Sequence, residues 1–452
     1  MKFVQTLMAA SLAVAFAGVA QAAVSLQEAE KLGTTLTGIG AERAGNADGS
    51  IPEYTGGNRQ LPAGFNIGDS YRPNPYEDEK PILVIDQSNM ASYKDKLTAT
   101  TAELLKRFPS YKLEVYPTHR SVWLPDAIVA NAKLNALSAK AVDGGVGVEN
   151  ALPGTPFPIP QSGSEVMWNH LLRYGGVTIQ SKFDTYNVDS AGVATLSTTG
   201  QATVNAPIYE DLTKVMQPTD IYYRIKVLYS GPARRAGEGV LVQDAVNPIK
   251  QPRRAWQYLP GQRRVKLAPD LAYDTPNPGT AGASTYDDVF VFTGALNRFD
   301  WKLVGKQEMY IPYNAYKLVY GKDVKAIVTP NHIANDQVRW EKHRVWVVEA
   351  TLKPGMRHIY HKRYIYIDED SWTAVASDMY DARGDLYRGS FAYTAPSYDV
   401  GVANATAHGT YDLIAGIYTQ NGLTGPYGGV KYIENLSKAK WAPESLAGAG
   451  IR

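Results

Sequence analysis

The side chains that could do chemistry are few and poorly grouped. His358 and His361 are the only close pair of histidines. Three apart on a helix they would share a face and could hold zinc. The residues around them read as a strand, where positions three apart point to opposite faces. Asn46-Ala47-Asp48-Gly49-Ser50 hints at a calcium loop, yet Ala44 and Thr55 stand where such a loop needs acids, so a turn is expected. Asp287-Asp288 and Asp368-Glu369-Asp370 could supply a general acid and base. Neighbours on a strand face opposite ways and the second run falls in a predicted turn, so solvated acids are the default expectation. No nucleophile elbow, P-loop or dinucleotide fingerprint is present. The sequence contains no cysteine, which excludes disulfides, thiolate metal sites and cysteine nucleophiles. These residues predict no catalytic centre, no metal and no cofactor: a binding or carrier protein rather than an enzyme.

The elements that would position a binding surface fall into two kinds. Up to Gly175-Gly176 the apolar period is helical. Ser25 with Glu28 forms a capping box, and helices are predicted over 25–36, 93–108, 126–141 and 164–174. Between them lie a turn-rich arm, Gly38 to Pro75, and a loop from Asn150 to Pro160 with too many prolines for regular structure. The arm carries Ile51, Tyr54, Leu61, Phe65 and Tyr71, too many apolar anchors for a free linker, so it should pack along the sheet. From Val177 to about Tyr398 the period becomes 2. In 221–229 the odd positions Ile221, Tyr223, Ile225, Val227 and Tyr229 are apolar while Arg224 and Lys226 are not. Further strands are predicted at 178–187, 239–245, 254–259, 288–293, 301–310, 338–351, 358–367, 373–380 and 386–394. Short turns between them make an antiparallel meander, and a sheet of this many strands should curl or close. The expected organisation is a signal peptide over 1–22, a helical and loop-rich region over 23–176, an antiparallel half-barrel over 177–400, and a tail over 401–452 packing on the sheet, with a short helix at 433–440.

The first residues predict export. Lys2 precedes an apolar run from Leu7 to Ala20, and Ala20-Gln21-Ala22 offers a small-x-small cleavage site, so the mature chain should begin at Ala23. The run is short for a membrane anchor, and without cysteine no lipid anchor of the lipoprotein kind can form. The periplasm is the expected compartment. With 46 basic and 44 acidic side chains the charge is nearly balanced, which disfavours a nucleic-acid partner.

Several runs occur together in a recognisable order: Ala41-Glu42-Arg43-Ala44-Gly45-Asn46, Ile51-Pro52-Glu53-Tyr54-Thr55-Gly56-Gly57, Val115-Tyr116-Pro117-Thr118-His119-Arg120, Trp168-Asn169-His170, and the stretch from Trp256 to Val265. On these the chain resembles the family called domain of unknown function 1329. Its C-terminal part is similar, more distantly, to outer-membrane lipoprotein-sorting carriers. That resemblance implies an α+β, mainly antiparallel fold: a curled, incompletely closed β-barrel with helices covering its mouth, here enlarged by an extended Pro/Gly-rich N-terminal arm. It also implies an apolar cavity for acyl chains. Members resemble components found beside inner-membrane exporters of the resistance-nodulation type, which implies such an exporter and an outer-membrane protein as partners in a relay. The length and the Pro-rich arm depart from the lipoprotein carriers and argue against lipoprotein as the cargo.

The expected function is therefore a periplasmic carrier or chaperone for a lipid-like or other apolar molecule. A filled barrel with an exposed apolar patch would favour an envelope adaptor instead, and a cleft of converging carboxylates a hydrolase of envelope material. If the sheet curls, three sets of residues are candidates for its concave lining: Tyr223, Ile225 and Val227; Trp256 and Tyr258; Trp346 and Val348.

Overall fold

The computed structural model describes residues 24–449; the expected signal segment, 1–22, lies outside them. Strands dominate. They are β1 (Leu83–Ile85), β2 (Leu113–Val115), β3 (Lys140–Val142), β4 (Gly147–Glu149), β5 (Thr178–Val188), β6 (Ala194–Asn205), β7 (Ile221–Gly231), β8 (Gly239–Ala245) and β9 (Arg254–Leu259). The series continues with β10 (Arg264–Leu267), β11 (Phe299–Pro312), β12 (Trp340–Leu352), β13 (Lys362–Asp368), β14 (Ala374–Tyr380), β15 (Leu386–Ala392), β16 (His408–Asp412), β17 (Ile417–Leu423) and β18 (Val430–Tyr432). All but β3 and β4 join one 16-stranded sheet. From β11 it runs through β12 to β17, then β5 to β10, every neighbouring pair antiparallel. β10 and β11, the two ends of this path, are not paired, so the curled sheet stays open.

The end of the tail packs on the sheet, where Trp441 and Leu446 meet Leu241 and Tyr258; the part before it is built into the sheet. β16 extends β15, while β17 and β18 both pair with β5, at Val188–Asp184 and Ser181–Ile179 respectively. Residues 408–432 thus join the two halves of the sheet. The predicted helix at 433–440 is replaced by a single turn at Lys438–Trp441 and a short helix at Ser445–Ala449. The strand expected at 288–293 is also absent. Its residues belong to the 268–298 connection between β10 and β11, where Phe290 and Val291 take left-handed φ of 54° and 72°. This connection crosses the inner face as a strap.

The main helices are α1 (Leu26–Ala29), α2 (Ala99–Arg107), α3 (Asp126–Ser138) and α4 (Gly163–Leu171). α1 keeps its Ser25–Glu28 capping box but lasts one turn. The predicted 93–108 helix is split: a tight 3-10 stretch at Met90–Lys96 precedes α2, whose cap is Thr98. Between β12 and β17 the sheet is covered on both faces. Val345, Val347, Tyr366 and Phe391 face a core with Leu104 and Leu105 of α2. Val348, Ile365 and Ile367 alternate to the other side and meet Val166, Met167 and Leu171 of α4. Two-sided burial explains why β13 and β14 are almost continuously buried rather than alternating. The arm lies against this body. Ile51 and Phe65 are buried, whereas Leu61 and Tyr71 remain 44% exposed. Arg72 fixes the arm's end through Asp399 at 2.7 Å and 2.9 Å.

Candidate functional site

The other half of the inner face, β5 to β8, is not filled. Alternation places Ser181 and Phe183 of β5, Ala202 and Val204 of β6, Tyr223, Ile225 and Val227 of β7, and Val240 and Val242 of β8 on one concave surface. The strap roofs it with Val289, Phe290 and Thr293, and the β15–β16 connection closes a side with Val402 to Thr406. Two lobes result, of about 870 Å3 and about 1020 Å3 of atom-free space, each partly open to solvent. They meet at Ser181, Ala202, Tyr223, Ile225 and Phe290.

The first lobe's arginine and histidine are already partnered. Arg253 makes a double ion pair with Asp244 at 2.7 Å and 2.7 Å. His408 donates from Nδ1 to the Thr406 carbonyl at 2.9 Å, and burial lowers its pKa to about 4, so it is neutral.

The seven candidate lining residues separate. Tyr223, Ile225 and Val227 come together on the cavity floor. Trp256 and Tyr258 lie on the opposite, convex face, because Ala255 takes the inward position of β9. There they pack with Leu241 beneath Trp441 and Leu446 of the C-terminal segment. Trp346 and Val348 are inward-facing but sit in the filled half, where Trp346 stacks on Trp372 at 5.9 Å. Register decides these placements, and register was not legible from the strand sequences. The roof is not legible from sequence either, since its residues have the composition of a strand. Arg173, in the second lobe, carried a readable signal: a charge at the end of an apolar helix.

The acidic runs are buried, not solvated. Asp287 and Asp288, on the strap, are 3% and 2% exposed. Arg363 of β13 reaches both, Nη1 to Asp287 at 2.9 Å and Nη2 to Asp288 at 2.7 Å. His358 adds a 3.0 Å contact to Asp287, while His361 is exposed in the same loop before β13. Burial alone would raise the Asp287 pKa; Arg363 and His358 outweigh it and hold the carboxyl well below the usual range. Asp368, Glu369 and Asp370 are buried too. His343, Asp368 and Asp370 each bring one potential ligand atom within 4.8 Å of the others. Burial and the neighbouring Asp370 push the Asp368 pKa up to about 7. Both Asp370 oxygens accept from Arg120, at 2.9 Å and 2.7 Å, which leaves a cation's place already taken by a guanidinium. Asp48 likewise serves a turn: it accepts from Ser50 N–H at 3.0 Å and pairs with Lys342 at 2.8 Å.

A model of the family described as protein of unknown function DUF1329 matches residues 84–447. The chain belongs to this family. An uncharacterized protein of Pseudomonas aeruginosa is 42% identical to this DUF1329 member over 434 residues, covering 95% of each chain. Among solved structures, a domain described as an outer membrane lipoprotein-sorting protein, from Vibrio parahaemolyticus, is 12% identical with a TM-score of 0.42, covering 61% of this chain and 93% of that one. A DUF1329 family protein from Desulfovibrio piger is 13% identical with a TM-score of 0.41, covering 60% and 92%. A LolA superfamily protein from Nitrosomonas europaea is 10% identical with a TM-score of 0.38, covering 63% and 100%. No helix among the described residues is long and apolar enough to cross a membrane.

In this DUF1329 chain the Trp168-Asn169-His170 run is a three-way anchor just ahead of Leu171, Leu172 and Arg173, which line the second lobe. All three side chains are at most 1% exposed. Trp168 Nε1 donates to the Gly145 carbonyl at 3.0 Å. Asn169 accepts from Phe157 N–H at 2.9 Å and donates to the Phe157 carbonyl at 2.7 Å, holding the Pro-rich loop. His170 Nδ1 accepts from Ala374 N–H at 2.9 Å, so its proton is on Nε2, which donates to the strap's Phe292 carbonyl at 3.0 Å. Burial keeps this imidazole neutral, with a pKa well below the ordinary value. Trp168→Phe keeps the ring but strands the Gly145 carbonyl; a loss of about 1–3 kcal/mol is expected, read as a lower urea midpoint at unchanged slope.

Proposed function

We propose that the protein is a carrier that holds a lipid-like or other apolar molecule between β5–β8 and the strap. The observation that supports this most is the two-lobed cavity, floored by Tyr223, Ile225 and Val227 and left unfilled beside a core that α4 packs tightly. An inner face with no ligand to hold would be closed by side chains, as it is at Val348. The signal-type N-terminus supports the periplasm as its compartment. A relay from an inner-membrane exporter toward the outer membrane is the corresponding proposal for its place in the envelope.

The test is binding of a fluorescent fatty acid to purified protein stripped of co-extracted lipid, with native mass spectrometry before and after stripping. Saturable binding at one site is expected. Trp256→Ala should bind the probe as the wild type does while melting at a lower temperature, because Trp256 packs under Trp441 and not over the cavity. Absence of probe binding by the folded, stripped wild type would overturn the proposal.

A further inference from the structure

Arg173 is the unusual residue of the second lobe. It follows α4 and lines a space whose walls include Leu171, Ile179, Val204, Ile208 and Phe292, with Ser181, Thr293 and Asn404 among the polar groups. Its Nη1 donates to the His170 carbonyl at 2.6 Å and lies 3.3 Å from His170 Nδ1. No carboxylate among the described residues pairs with it. The groups that bear on its charge are Tyr209, Tyr222 and Tyr223. Burial raises the pKa of all three, so they are neutral phenols at neutral pH. Burial also lowers the Arg173 pKa, to about 10, which still leaves it charged there.

The buried arginines elsewhere in the chain are neutralised. Arg72 has Asp399, Arg120 has Asp370, Arg253 has Asp244, Arg363 has Asp287 and Asp288, and Arg388 has Asp412. Arg173 is half-buried; a guanidinium partly withdrawn from bulk water without a counter-charge loses solvation, and an anion that meets it in the same partly enclosed space restores it. The rest of the fork, Nε and Nη2, makes no hydrogen bond to protein, and neither atom is sealed from solvent. An apolar first lobe joined to a second lobe with one free cation has the polarity of an amphiphile.

We propose that Arg173 is the headgroup subsite of the cavity: it takes the carboxylate or phosphate of a single-chain amphiphile whose apolar chain lies in the first lobe over Ile225 and Val227. This rests on the carrier reading above and adds a chemical class to it. Helix ends favour cations through the backbone carbonyls they leave open, and the His170 contact is of that kind. It uses one of five donors and gives no reason for the remaining fork to lack a partner.

The experiment compares a fluorescent fatty acid, its methyl ester and a monoacyl phosphate of the same chain length, on stripped full-length wild type, Arg173→Met and Arg173→Lys. Melting temperatures are recorded for each. Wild type is expected to bind the two anions about tenfold or more tighter than the ester, the size of one charge-assisted contact. The stronger of the two anions identifies whether a carboxylate or a phosphate is the natural partner. Arg173→Met should lose the preference and keep ester binding, with Arg173→Lys intermediate. Equal affinity of wild type for anion and ester, or an anion preference that survives Arg173→Met, overturns the headgroup subsite and leaves the carrier standing. Failure of wild type to bind any of the three overturns both.

Discussion

Arg363→Ala is expected to destabilise the protein by about 3–5 kcal/mol, the cost of leaving buried carboxylates without their cation. Arg363 is 0% exposed and grips Asp287 and Asp288 together. Those carboxylates also accept from Thr285, Tyr360 and His358, so the cluster ties the strap to β13 by several short contacts. Removing the guanidinium leaves two negative charges side by side with no route to water. The sign of the pH dependence follows. The Asp287 pKa is lowered in the folded chain, so its contribution is present above the unfolded carboxylate pKa of about 4 and fades as pH falls below it. The gap between wild type and variant should be widest near neutral pH and should narrow on acidification, when the carboxylates are protonated in both. Denaturant melts of the two proteins across that range provide the check. A gap that stays constant on acidification would show that Arg363 acts by packing rather than by charge.

Ala202→Trp is expected to abolish probe binding, by about a hundredfold or more, with little change in melting temperature. Ala202 lies where the lobes meet, on the same concave floor as Ile225 and beside Val227, in a space that Phe290 of the strap also lines. An indole there occupies the passage that a flexible chain would thread. Overpacking is destabilising where a core is already full, and here the added atoms enter space that is vacant. The two readouts separate the effects: lost binding with retained melting identifies a blocked cavity, whereas lost melting would mean that Ala202 stands in filled core. Retained binding at full affinity would place the ligand elsewhere.

What was legible in the sequence follows from period. β7 announced itself because Ile221, Tyr223, Ile225, Val227 and Tyr229 alternate with charged residues, and that alternation also put three of the lining residues on the floor of the cavity. β6 did not, because Ala, Thr, Ser and Gly over 194–205 form a pleated surface without strong hydrophobic contrast. β16 and β17 escaped for a similar reason, being built of His, Gly, Thr, Asn and Gln packed into the sheet. The strap reads as a strand because Val289-Phe290-Val291-Phe292 has strand composition, while its backbone is turned by two consecutive left-handed residues. Such φ values are rare for β-branched residues such as Val291, and tertiary anchors supply what local preference withholds: the Asp287–Arg363 cluster on one side, His170 on the other. Trp256 and Tyr258 share a face, as their spacing says, but spacing cannot say which face, and one residue of register turns concave into convex.

The pairing of β17 and β18 with β5 also sets an order of events in time. β5 leaves its partner-seeking edge open from the moment it is made, and the residues that cover it, 417–423 and 430–432, come long after it in the chain. Until they arrive the sheet exists as two separate fans, β5 to β10 and β11 to β16, each with an exposed margin. Joining them requires closure of a very long loop, the kind of contact that slows folding and lengthens the lifetime of aggregation-prone intermediates. The floor of the cavity is thus written early and completed late, and a chain cut short of residue 432 would carry the ligand-lining strands yet leave the border of β5 unsealed.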